Sequence, residues 1–462
     1  VTGDDRLVRG VDLRGAVALN VISMVGVGPF ITIPLVLGAL HGPLSLVGWF
    51  LGAVLALCDG LVWAELGSMY PGSGGTYGYL REIFGRKSWG RFLAFLFVWQ
   101  TLLVAPLNQA TGYIGFANYA GYLVPALQTH PLAVQLLAVA VGVVTIVVLY
   151  RGIAGIAKIG IGFAIATFAT LMCVIIGSYA RFDPHLALAF PAHDSFLGGL
   201  GAGLGQGLLI AMYDYLGYNQ SSCVGGEVRD PARTLPRSII ISIVLVALLY
   251  CTMQFGILGS VPWQKLIPTD AAGDLPPLGQ HVASAVVEHA FGAAAATIVT
   301  VLILIVTFAS TYGNLLGYSR VPYAGAVDGI FLKPFAHVNA RLRFPDVSLV
   351  AMGVLALPAC FFSLGDVINA LTTGIVLIQS CAQIVALALL RRRAVVAPYR
   401  MWLYPVPALV AFSGWIYIFC AAGTKAIVFG IVGLAVGALI YLVRAKRATD
   451  WPFSQASRSA AA

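Results

Sequence analysis

Two apolar segments, each long enough to cross a bilayer, are interrupted by glycine at corresponding places in the two halves of this chain. The first reads Val25-Gly26-Val27-Gly28-Pro29-Phe30. The second holds Gly203, Gly205 and Gly207, then Asp214-Tyr215-Leu216-Gly217-Tyr218. Glycine and proline inside a membrane helix leave backbone N–H and C=O groups unpaired, and hydrocarbon offers them no partner. Such breaks persist where they line a polar cavity. A matched pair in two halves of a chain points to a solute-binding site near mid-membrane.

Composition supports the bilayer setting. Of 462 residues, 59% are hydrophobic and 10% charged, where soluble domains carry about 25% charged residues. The apolar runs continue to residue 443, so they are not one cleavable leader ahead of a soluble domain. Counting stretches of about 20 residues between charge or Pro/Gly clusters gives twelve expected spans. They are 16–40, 43–69, 92–123, 132–150, 156–179, 198–221, 236–257, 282–312, 346–363, 367–390, 402–421 and 424–443. The net charge of +9 is distributed in a way that argues against nucleic acid. Of the 27 basic residues, 24 fall before the first span or in every second loop after it, and Arg181, Lys265 and Lys425 are the exceptions. The positive-inside rule then puts both termini in the cytoplasm and the chain in the plasma (cell inner) membrane. The seven cysteines lie in or beside spans without a CxxC pair, which suggests neither a disulfide framework nor a metal site.

The first and sixth spans carry the breaks, so each break opens a set of five. An odd number of spans inverts the second set relative to the first. The expected organisation is a cytoplasmic segment 1–15, a first inverted repeat 16–197, a second 198–400, two further spans in 401–443 and a cytoplasmic tail 444–462.

At the first break, Val25, Gly26, Val27 and Gly28 expose backbone. The positive N-terminal end of the resumed helix suits a carboxylate, and free carbonyls suit an ammonium group. Close helix packing through small residues is the alternative reading. At the second, Asp214 stands well inside an apolar span and needs a cavity, a cation or a proton. Tyr213, Tyr215 and Gly217 flank it. Asp59 and Glu65 in the second span are coupling or gating candidates, Glu65 through pairing with an inner-face base. Asn108 and Gln109 follow Pro106, where a kink is expected, and can line a pathway or join helices. Thr311 and Tyr312 belong to a hydroxyl cluster in the eighth span that can help coordinate a cation or bond back to its own helix. No nucleophile–base pair, metal-ligand set or phosphate loop is present, so no catalytic or metal residues are assigned.

Three stretches resemble signatures of the amino acid–polyamine–organocation transporter superfamily. They are Glu65-Leu66 through Pro71-Gly72-Ser73-Gly74-Gly75-Thr76-Tyr77 to Arg81; Gly225-Gly226-Glu227-Val228-Arg229-Asp230-Pro231 to Arg237; and Ser319-Arg320 through Asp328-Gly329 to Pro334. The resemblance covers residues 10–440. It implies an all-α, leucine-transporter-like fold of five plus five inverted spans with two more at the C-terminal end. It also implies that the Gly26 and Gly28 amides receive a substrate carboxylate, and that carbonyls of Tyr213 to Gly217 receive the amine. Pro29 and the acid Asp214 depart from the family pattern, which raises cationic amino acids and polyamines as substrates. Some sodium-independent relatives carry a lysine deep in the fifth span. Here Lys158 stands near its start and 161–178 hold none.

The expectation is a secondary active amino acid permease with no cofactor, whose coupling ion is left open between proton and sodium, with Asp214 favouring the proton. The alternatives are a polyamine or cationic amino acid carrier or exchanger and, in a different class, an amino acid sensor or channel on the same scaffold. The expected partners are a small-molecule substrate and membrane lipid; no feature marks a protein partner.

Overall fold

Asp12 starts the first helix: its carboxylate accepts from the Gly15 N–H at 2.8 Å, satisfying one donor that a helix start leaves open. The computed structural model describes residues 10–453 apart from 73, 128, 152–155, 191–195, 268–274, 340–343, 394 and 449. The helices are α1 (Leu13–Val25), α2 (Gly28–Leu40), α3 (Ser45–Met69), α4 (Thr76–Ile83), α5 (Trp89–Leu123), α6 (Pro131–Arg151), α7 (Ile156–Ala180), α8 (Pro184–Ala187), α9 (Phe196–Tyr215), α10 (Gln220–Cys223), α11 (Pro231–Ser260), α12 (Pro277–Gln280), α13 (Val282–Phe291), α14 (Ala293–Val327), α15 (Asp346–Ala356), α16 (Leu364–Ile375), α17 (Gln383–Arg392), α18 (Val406–Ala421) and α19 (Thr424–Ala448). A π-helical turn, Val376–Ala382, joins α16 to α17. Among the described residues, the β structure is a single parallel bridge between Val11 and Val228.

Among the described residues, seven helical stretches are long and apolar enough to cross a bilayer, and α1 with α2, bent by 49° at their break, make an eighth. The chain is therefore an all-α polytopic membrane protein. Shorter apolar helices, including Asp346–Phe361 and Val406–Ala421, occupy other stretches expected to span. Inside the bundle α11 packs along α3, α14 along α5, and α2 against α9.

Two local expectations change. Span 282–312 is divided at Gly292, whose φ is +86°, and the helix beyond it runs on to Val327. The glycines at 203, 205 and 207 do not break α9, which is helical from Phe196 to Tyr215. They are spacers. A Cβ on Gly203 would lie 1.8 Å from the Ala39 carbonyl oxygen, one on Gly207 2.5 Å from Leu40, and one on Gly205 2.3 Å from the Ala421 methyl. Small residues let α9 approach α2 and α18 closely, the usual device where lipid offers no hydrophobic drive between helices.

Proline inside α2 shows how the bundle repairs a lost hydrogen bond. Pro34 has no N–H to give the carbonyl of Phe30, four residues back. The Tyr119 hydroxyl of α5 donates to that carbonyl at 2.7 Å instead.

Gly203→Ala should therefore destabilise the α2–α9 contact by about 1–3 kcal/mol. Gly313→Ala, whose Cβ meets nothing within 4 Å, should not. Thermal melting of the two variants in detergent checks the contrast, and equal melting temperatures would remove the spacer role.

Candidate functional site

Where α1 stops at Val25 and α9 stops at Tyr215, the last carbonyls of each helix lose their i+4 donors. One side chain serves both ends. The Tyr250 hydroxyl of α11 faces the Met24 carbonyl at 2.8 Å and the Asp214 carbonyl at 3.3 Å. Its single proton is shared between them, closer to Met24. Trp49 packs on Tyr250 and Tyr215 with centroids 5.3 and 6.1 Å away, fixing the rings.

The two breaks also touch. Gly217 has φ +115°, and a Cβ there would lie 2.7 Å from the Ser23 carbonyl carbon and 2.9 Å from the Met24 nitrogen. Both conditions require glycine. Asn20 of α1 completes the join, its Oδ1 accepting from the Ser221 N–H at 2.8 Å.

Between the breaks lies a cavity of about 590 Å³. Gly26, Val27 and Gly28 line one side, and Tyr213, Asp214 and Gly217 another. Asn108 and Thr111 of α5 and Ser310, Thr311 and Asn314 of α14 add polar walls. The cavity continues past Tyr77 and Arg320 toward the face where the basic residues cluster.

Asp214 is 1% exposed. Its Oδ2 accepts from the Thr32 hydroxyl, while its Oδ1 has no hydrogen-bond partner. That free oxygen lies beside the first turn of α2, 2.1 Å from where a Gly28 Cβ would be. Gly28 opens α2, so its N–H has no intrahelical acceptor and the positive helix end faces the cavity. Tyr213 is held by donation to the Thr111 hydroxyl at 2.8 Å. Ser310 presses on Gly26, whose Cβ would meet the hydroxyl at 2.9 Å.

Other candidates sit elsewhere. Val25 does not line this cavity, and Tyr215 turns away to donate to the Trp49 carbonyl at 3.1 Å. Gln109, with its amide oriented to suit its surroundings, donates to the Thr311 carbonyl at 3.0 Å and accepts from the Leu315 N–H at 2.9 Å. It ties α5 to α14. The Thr311 hydroxyl donates back to the Phe308 carbonyl at 2.9 Å. Tyr312 packs against the apolar cluster of Leu315, Phe344, Leu349 and Met352. Asp59 accepts from Tyr218 at 2.5 Å and from Trp415 at 3.1 Å. Glu65 accepts from Arg391 at 2.6 Å and from the Met401 N–H at 2.8 Å. The side chain of Lys158 lies outside the described residues.

Thr32 and Tyr250 were missed from sequence. Thr32 stands one turn after Gly28, which places its hydroxyl on the face of the break. Tyr250 carried no local signal, because its partners are 226 and 36 residues away. The three signature stretches meet at the basic end. A Cβ on Gly225 would lie 3.1 Å from the Gly72 carbonyl oxygen. The Tyr77 hydroxyl donates to Asp328 at 2.7 Å, and Arg81 pairs with the same carboxylate.

A polar cavity between two helix breaks in a membrane bundle is the kind of place where membrane transporters build solute sites. The chain belongs to the amino acid permease family, whose model matches residues 12–445. It is 26% identical over 429 residues to the serine/threonine exchanger SteT of Bacillus subtilis, covering 90% of this chain and 92% of that one. It is 22% identical over 454 residues to the branched-chain amino acid permease BcaP of Lactococcus lactis, covering 94% of each. It is 27% identical over 381 residues to the vacuolar cationic amino acid transporter 4 of Arabidopsis thaliana, covering 78% of this chain and 59% of that one. The protein is thus an amino acid transporter of the amino acid–polyamine–organocation superfamily and not an enzyme.

Tyr250→Phe removes the donor shared by the Met24 and Asp214 carbonyls. It should cost about 1–3 kcal/mol of stability, the usual penalty for stranding a buried acceptor. Thermal melting checks this, and an unchanged midpoint would mean that other groups satisfy both carbonyls.

Proposed function

We propose that the protein is a secondary active transporter that binds an amino acid between its two helix breaks and couples transport to a proton carried by Asp214. The observation that carries this reading is the Asp214 Oδ1, buried on the cavity wall without a donor. An ionised carboxylate left so in low dielectric is costly. A proton removes the cost, and so does a substrate ammonium group. Substrate carboxylate fits the amides that open α2, because Gly28 presents an unpaired N–H at the positive end of that helix.

Twelve spans belong to the same reading, with inverted repeats in 16–197 and 198–400 and two spans in 401–443 outside them. It rests on a break in the first span of each set. Placement in the plasma membrane with both termini in the cytoplasm rests on the one-sided distribution of the basic residues. The cavity then opens to the cytoplasm, and rocking of the repeats opens it to the other side. No cofactor takes part.

A second reading, a carrier or exchanger of cationic amino acids or polyamines, is favoured by the same free oxygen, which can pair with a second amine. The relatives' names span hydroxylated, branched-chain and cationic substrates, so identity does not choose among them.

Uptake of labelled serine, leucine, arginine and putrescine into proteoliposomes, with imposed proton, sodium or counter-substrate gradients, separates these cases. The expected result is accumulation that collapses with the proton gradient. Asp214→Asn should abolish accumulation while leaving exchange between preloaded and external substrate. Accumulation that survives in Asp214→Asn would sink the proton role. Putrescine uptake that no amino acid competes with would sink the carboxylate-binding model.

A further inference from the structure

A second concavity lies on the outer flank of α1, away from the substrate cavity. Helices α1, α7 and α11 enclose an apolar groove of about 440 Å³. Val21, Phe168, Leu171, Ile241, Leu245 and Leu249 form its walls. Phe168, Ile241 and Leu245 are exposed, and among the described residues no side chain fills the space. Arg14 is the one charged residue on its wall among those described.

A second arginine stands at the same end. Ile241, Leu245 and Leu249 follow at steps of four along α11, and Arg237 occupies the preceding step of that stripe. Helices α1 and α11 begin at one end of the bundle, because the segments leading into them are joined by the parallel Val11–Val228 bridge. There the Val11 N–H donates to the Glu227 carbonyl at 3.0 Å and the Arg229 N–H to the Val11 carbonyl at 2.8 Å. Arg14 and Arg237 are exposed, and neither has an ion-pair partner among the described residues. Of the acids at this end, Asp12 caps Gly15, and Asp230 stands 4.0 Å from Arg233.

An apolar slot that faces hydrocarbon, headed by two unpaired cations at the basic end of the spans, matches a ligand with a chain and an anionic head. A free phosphate would use the arginines and leave the slot empty. A neutral lipid would use the slot and leave the arginines unpaired. We propose that this groove holds an acyl chain of an anionic phospholipid whose phosphate is bound by Arg14 and Arg237. Val25 lines the groove and Gly26, next to it, lines the substrate cavity, so the lipid packs against the helix that carries the first break. The inference does not depend on which substrate or ion the transporter uses.

The test is native mass spectrometry of the full-length protein titrated with dioleoylphosphatidylglycerol or dioleoylphosphatidylcholine. Wild type should retain phosphatidylglycerol preferentially. Arg14→Gln with Arg237→Gln should weaken that binding on the order of 25-fold, from about five-fold per basic residue near a membrane surface. Leu245→Trp should weaken it by blocking the slot. Inorganic phosphate should not compete. Equal retention of the two lipids, full retention in the double arginine variant, full retention in Leu245→Trp, or displacement by phosphate would each overturn the proposal. Both arginines are exposed, so the double variant should fold and keeps the result readable if Leu245→Trp does not.

Discussion

A bilayer interior leaves no backbone carbonyl to water, and the arrangement around the two breaks answers that constraint. Breaking α1 and α9 frees carbonyls at Met24 and Asp214, and one tyrosine hydroxyl on α11 reaches both. This is possible because the breaks cross in contact, with Gly217 against the backbone of Ser23 and Met24. Neither break is self-sufficient. Each depends on the other for position and on a third helix for its hydrogen bond, so the site is one crossing of two chain segments held by Trp49, Tyr215 and Tyr250.

Three of the buried acids, Asp59, Glu65 and Asp214, show what a membrane interior does with carboxylates. Asp59 has a donor on each oxygen, from Tyr218 and Trp415. Glu65 is paired with Arg391 and a backbone N–H. Asp214 has a donor on one oxygen and a cavity wall at the other. The first two are closed structural units, and removing a partner from either strands a buried charge. Asp214 alone of the three has room for a change of protonation or of partner without dismantling its neighbours. The crossing places it there: Gly28 has no Cβ, and any larger residue would occupy the space of the carboxylate oxygen.

The first break was legible because Gly26, Gly28 and Pro29 concentrate every local disincentive to helix in four residues. The second was placed at Tyr213 to Gly217, where α9 does stop, but Gly203, Gly205 and Gly207 were counted into it as well. Glycine in a membrane helix serves close packing as readily as breaking, and Gly203, Gly205 and Gly207 do the former against Ala39, Leu40 and Ala421. The break itself uses left-handed backbone at Gly217, the glycine that follows Asp214-Tyr215-Leu216. The division of the eighth span at Gly292 was passed over although Glu288 and His289 stand just before it, because the apolar run resumes at once with Ala293. The roles of Asp59 and Gln109 depended on partners more than 200 residues away in sequence, Trp415 and the Thr311 backbone, and no periodicity encodes such a pairing. The inner-end pairing of Glu65 was legible, because an acid at the end of a span facing a basic loop has few other outcomes.

Relatives with 22 to 27% identity carry names for hydroxylated, branched-chain and cationic substrates. On the proposed function, a site built largely from backbone explains how such divergence is tolerated. Helix-end N–H and C=O groups depend on chain path, and the path is set by a few glycines and by the hydroxyl of Tyr250. Side chains on the remaining walls, here Asn108, Thr111, Ser310 and Asn314, can vary without disturbing it. On the proposed reading, the crossing recognises what all amino acids share, and the α5 and α14 walls recognise what distinguishes them. Asp214 belongs to both sets, since it lies on the crossing yet acts through its side chain. On that reading substrate charge and coupling are linked: a cationic substrate that pairs with Asp214 takes the place of the proton that a neutral one requires.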